Sequence, residues 1–81
     1  MAVTTNFQIL GVSAKRQERI QQALIAAFES RPGRWHIQFL GERGDDIWET
    51  KLSGPAVETS AYLTASGDPA DLAAAVVALA E

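Results

Sequence analysis

The side chains able to do chemistry in this chain are few. Its single histidine, His36, lies in the stretch RWHIQFLGERGDDIWETKLSGP, which also holds both tryptophans. As a general base, His36 needs a nucleophile to activate and a carboxylate to orient it. Ser53 and Ser60 are the candidate nucleophiles and Glu49 the candidate orienter. The alternating pattern around them places these groups on an open sheet surface, where nothing excludes water. The chain has no G-x-S-x-G turn to present a serine. Zinc needs three or four ligands, and there is neither a second histidine nor a cysteine. The segment GERGDD brings Glu42, Asp45 and Asp46 together, but calcium loops are longer, alternate their oxygen ligands and end in glutamate. No catalytic residue, metal site or cofactor is expected, and the chain does not read as an enzyme. The one enzymatic arrangement left is a pocket built between subunits from His36, Tyr62 and Glu49.

Two other groups invite a binding role. Lys15, Arg16 and Arg19 fall at the start of an expected helix, where the macrodipole disfavours cations by about 0.3–1 kcal/mol each. Set beside free backbone N–H groups, they offer an anion-binding site for a phosphate or carboxylate. Trp35 and Trp48 would form a stacking platform if a basic rim surrounded them. No such rim is visible, so both are assigned to the core, where each indole N–H needs an acceptor.

The elements that must position these residues follow from periodicity. Residues 5–11, TNFQILG, read as a short strand with Phe7 and Ile9 on one face. Ser13 caps a helix over about 14–30, with Ile20, Ala23, Leu24, Ala27 and Phe28 as its apolar stripe. Pro32 and Gly33 stop it. Trp35, Ile37 and Phe39 then alternate with polar residues, as do Trp48, Thr50 and Leu52, so both stretches read as half-buried strands. Pairing 39 with 48, 37 with 50 and 35 with 52 keeps the apolar set on one face. A third strand, VETSAYLTA, follows with Val57, Ala61 and Leu63 inward. Placing Leu52 opposite Val57 sets Lys51 opposite Glu58. Asp68, Pro69 and Asp71 mark the start of a last helix over 69–80. The expected fold class is α+β: one small domain over residues 1–81, in the order β-α-β-β-β-α, with an antiparallel sheet and two helices packed on one face.

Composition sets the setting. The 81 residues are 47% hydrophobic and 21% charged, ordinary proportions for a globular chain. With no cysteine, no signal-like start and no apolar run longer than Leu72–Ala80, a cytoplasmic protein with no membrane contact is expected. The net charge of −3 is polarised. Through Arg34 five cations face two anions, and from Trp35 onward two cations face eight anions.

The last helix carries the least ordinary feature. Leu72, Ala75, Val76 and Leu79 make its inward stripe, leaving Ala73, Ala74, Val77 and Ala78 where a solvent-facing helix would be polar. A helix apolar all round is usually covered on more than one side. The expected cover is a protein partner, most simply a second copy of the chain in a homo-oligomer.

From Ser13 onward the order α-β-β-β-α resembles that of a double-stranded-RNA-binding domain. In GDPADLAAAVVAL, Ala70, Ala74, Ala75, Ala78 and Leu79 match the packing positions of that family's final helix. Its three phosphate-contacting lysines correspond here to Gly67, Asp68 and Asp71. The resemblance therefore implies a shared layout without RNA contacts of that kind, because duplex affinity is mostly electrostatic. The leading reading is a small non-catalytic protein-interaction module that self-associates through its alanine-rich last helix. The alternative is a nucleic-acid or anion-binding domain that uses Lys15, Arg16 and Arg19.

Overall fold

The computed structural model describes residues 2–9, 11–44 and 46–81. Six elements follow in the expected order: β1 (Ala2–Phe7), α1 (Ala14–Ala27), β2 (Arg34–Glu42), β3 (Ile47–Ser53), β4 (Glu58–Thr64) and α2 (Pro69–Ala80). The strands form one sheet in the order β1-β2-β3-β4. The domain is α+β, but its sheet is mixed rather than wholly antiparallel. β1 runs parallel to β2, with Val3, Thr5 and Phe7 beside Trp35, Ile37 and Phe39. The cause lies in the connection. A helix between two neighbouring strands carries the chain back to the end from which it started, so the second strand runs in the direction of the first. β2, β3 and β4 form the expected antiparallel meander.

Local chemistry sets both helix starts. Ser13 is extended, and its hydroxyl oxygen accepts from the Arg16 backbone N–H at 3.2 Å. Asp68 does the same for the Ala70 N–H at 3.0 Å, with Pro69 in the first turn. α1 ends at Ala27, three residues earlier than the spacing suggests. Phe28 caps it, and Gly33 takes a φ of +95°, which turns the chain into β2.

The strands pair two residues away from the expected register. Ile37 stands opposite Leu52 and Phe39 opposite Thr50, until a bulge between Phe39 and Gly41 resets the ladder. Across the next pair, Leu52 faces Thr59 rather than Val57. A two-residue offset leaves every side chain on its expected face, since the pleat has period two. Lys51 and Glu58 are therefore diagonal neighbours rather than directly opposite, yet Nζ still reaches the carboxylate at 3.3 Å. Both partners are well exposed, so the pair contributes little to stability, about 0–1 kcal/mol.

One core joins the layers. Ile20, Leu24 and Phe28 from α1, and Leu72, Ala73 and Val76 from α2, pack with Trp35, Ile37, Phe39, Trp48 and Leu52 of the sheet. Among the described residues the buried polar one is Thr50, with its hydroxyl turned to the Trp48 carbonyl at 3.4 Å. The aromatic rings interlock: Phe39 meets Trp48 edge-on at 5.4 Å, and Phe28 lies 5.0 Å from Trp35. Among the described residues, no helix is long and apolar enough to cross a membrane.

Candidate functional site

The outer face of the sheet holds the groups that a catalytic reading would use, and it keeps them apart. His36 is half-buried and stands opposite Ser53, which stands opposite Glu58. A relay needs the imidazole between hydroxyl and carboxylate. Here the serine is in the middle, and Glu58 is engaged with Lys51. Glu49 and Tyr62 face each other two outward-facing rows further along, and Arg43 lies over the Tyr62 ring at 5.2 Å. His36, Tyr62 and Glu49 thus do not converge within one chain. Among the described residues, no group of three or more His, Cys, Asp or Glu side chains could hold a metal ion. Asp45, one carboxylate of GERGDD, lies outside the described residues.

The two tryptophans face inward, where the alternation places them. Trp48 is fully buried and Trp35 is 7% exposed. The Trp35 indole N–H donates to the Pro32 carbonyl at 3.2 Å. The Trp48 N–H has no acceptor among the described residues. What lies against that ring is a cation, with the Arg16 guanidinium carbon 5.2 Å from its centroid.

That contact divides the expected anion site. Arg16 reaches across α1 to donate from Nη2 to the Ala65 carbonyl at 2.6 Å, tying the start of α1 to the segment between β4 and α2. Its charge therefore serves the Trp48 ring and a carbonyl that the end of β4 leaves free. Lys15 and Arg19 remain exposed on α1. Arg16 is thus engaged away from the helix start, and Ser13 already occupies its backbone N–H. A sequence signal for Arg16 existed in its spacing. It lies four residues before Ile20, on the margin of the buried stripe, where a long side chain can lay its stem over the core.

α2 is turned relative to its expected phase. Its buried residues are Leu72, Ala73 and Val76, and Val77, Leu79 and Ala80 pack against the core from either side. Ala73, expected outside, is 3% exposed. Val77, also expected outside, is half-buried. Alanines on all sides give the wheel no sharp direction, so the larger residues at 72, 76, 77 and 79 choose the face together. Ala74 and Ala78 do remain outward, with Ala70 one turn before them. No charge interrupts the helix between Asp71 and Glu81.

Sequence reasoning missed one further feature at the far end of the molecule. Arg31, just past α1, is paired with Glu81, just past α2, at 2.7 Å. Beside this bridge an open cleft of about 440 Å³ runs between Pro32, Trp35, Pro55, Val57 and Ala80. The pairs Pro32-Gly33 and Gly54-Pro55 were legible as turns. That they come together to wall a cleft depends on the tertiary fold. The sequence matches no family model and no curated protein.

Proposed function

We propose that this protein is a small, non-catalytic interaction module that self-associates through the outward side of α2. The observation that carries the reading is the strip Ala70, Ala74, Ala78. It is exposed, recurs every four residues and spans about 12 Å of helix. Ala75 on one side and Val77 on the other, both half-buried, border it. Alanines allow a second helix to approach to about 8 Å, the close end of the usual range. Around a two-fold axis the same strip meets itself. The contact is small, so the dimer is expected to be weak and concentration-dependent.

The absence of convergence among His36, Ser53, Glu49 and Tyr62 supports the non-catalytic half of the reading. The inward engagement of Arg16 favours this reading over anion binding, which is left with Lys15 and Arg19. Size-exclusion chromatography with light scattering tests it. The expected result is a mass rising toward twice 8.7 kDa at high micromolar concentration. The double substitution A74E/A78E should hold the chain monomeric with unchanged circular dichroism, because glutamate is a good helix former. A parent chain that stays monomeric throughout would overturn the proposal. Val77 is a poor probe, since it also packs on the core.

A further inference from the structure

The cleft at the Arg31 end combines an apolar floor with one cation. Trp35 forms the floor, with Pro32 and Pro55 beside it and Val57 and Ala80 completing the lining. The charged group on its lining is Arg31, and a carboxylate already sits there. The Glu81 Oε1 atom accepts from Arg31 Nη2 at 2.7 Å. The Glu81 side chain is 67% exposed, so this is a surface contact that another carboxylate can replace at small cost. Arg31 itself is 28% exposed, and its guanidinium carbon lies 6.0 Å from the Phe28 ring centroid. That ring gives it a resting place that does not depend on Glu81. The neighbouring acid Glu58 is engaged with Lys51.

We propose that this cleft receives a short peptide segment of a partner protein, in which a bulky apolar side chain is followed closely by a carboxylate. The apolar group lies on Trp35 between the two prolines, and the carboxylate displaces Glu81 from Arg31. Glu81 is then a built-in competitor. Charge complementarity selects an acidic segment. The open side of the cleft selects a peptide over a free small acid. Small ligands need most of their surface enclosed, whereas a chain can enter and leave an open groove. The inference rests on the module reading but not on self-association, because the alanine strip faces elsewhere.

The test is a titration of the full ¹⁵N-labelled chain, carrying A74E/A78E, with the blocked pentapeptide acetyl-Gly-Phe-Glu-Gly-Gly-amide. The readout is the two indole N–H signals. The Trp35 signal should move while the Trp48 signal stays fixed. The same peptide with Gln in place of Glu should bind roughly five-fold more weakly, the scale of one charge-assisted contact at a rim. E81Q should tighten the Glu peptide by a similar factor, and R31Q should abolish the difference between the two peptides. Retained Trp48 dispersion shows that each variant is folded. An unmoved Trp35 signal at millimolar peptide overturns the proposal, as does equal binding of both peptides or weaker binding by E81Q. Phenylpropionate binding as tightly as the peptide would overturn the peptide assignment in favour of a free apolar acid. A Trp35 shift on concentrating the chain alone would give the cleft to a second copy. Light scattering reads the α2 strip and the indole shift reads the cleft, so the two proposals fail separately.

Discussion

Trp48→Ala is expected to leave much of the chain unfolded at room temperature, whereas Trp48→Phe is expected to stay folded. The contrast follows from what the side chain does and does not contact. Trp48 is fully buried at the centre of the inner face, packed edge-on against Phe39 and Phe7 and covered by the Arg16 guanidinium. Truncation to alanine costs about 3–5 kcal/mol in transfer and cavity terms. A chain of this size has a total stability of about 4–12 kcal/mol, and small domains sit toward the low end. Phenylalanine keeps most of the ring packing. It also removes an N–H that has no acceptor among the described residues. Burying an unpaired donor costs about 1–3 kcal/mol, and that penalty disappears with it. The net loss for Trp48→Phe is expected at about 1 kcal/mol or less. Trp35→Phe is expected to cost more, because its N–H does have a partner in the Pro32 carbonyl. Urea unfolding midpoints measure all three. A Trp48→Phe variant less stable than Trp35→Phe would show that the Trp48 N–H has an acceptor after all.

The second large effect belongs to Gly54. A methyl group there would point into the Trp35 ring, within 2.9 Å of Cη2 and closer still to Cε3 and Cζ3. The ring borders the cleft on one side but is held on the others. Phe28 lies against it, and its N–H is held by Pro32. Gly54 also donates its own backbone N–H to the Val57 carbonyl at 2.8 Å, which fixes the β3–β4 turn in place. Gly54→Ala must therefore push the turn off the sheet or the ring out of its pocket. Overpacking of this kind costs about 1–3 kcal/mol. Gly41→Ala makes a suitable control, since a Cβ there meets nothing within 4 Å. Thermal unfolding should separate the two, with a fall of several degrees for Gly54→Ala and much less for Gly41→Ala. Equal values would mean that the turn does not rest on Trp35.

Most of the fold is legible in the chain because its signals are strong. Trp35, Ile37 and Phe39, then Trp48, Thr50 and Leu52, alternate without a break, and the Ser13 and Asp68 caps stand where helices begin. What the sequence leaves open has definite causes. The pleat fixes which face a residue takes but is silent about a shift of two, so Leu52 lies opposite Ile37 rather than Trp35. The bulge next to Gly41 depends on a backbone irregularity that alternation does not encode. The phase of α2 was blurred by alanines on every side. The parallel pairing of β1 was implicit in the β-α-β order, but side-chain alternation, the same in parallel and antiparallel strands, does not show it. β1 also runs over Ala2–Phe7 rather than 5–11, pairing with residues 34–39 of the longer β2.

The candidate sites were less legible than the fold. Arg16 reads as one of three clustered cations, yet its direction depends on Trp48 and Ala65, which are distant in sequence. Arg31 and Glu81 meet across fifty residues of chain. In each case the residue type was visible and the partner was not.

The account depends on the residues most capable of chemistry being spent on packing, and on Trp48 above all. Intrinsic fluorescence of Trp35→Phe, which leaves Trp48 as the sole emitter, tests this most directly. The expected result is a blue-shifted emission that iodide barely quenches until the chain is unfolded in urea. A red-shifted emission that iodide quenches freely in the native chain would place the ring in water and contradict the core described here.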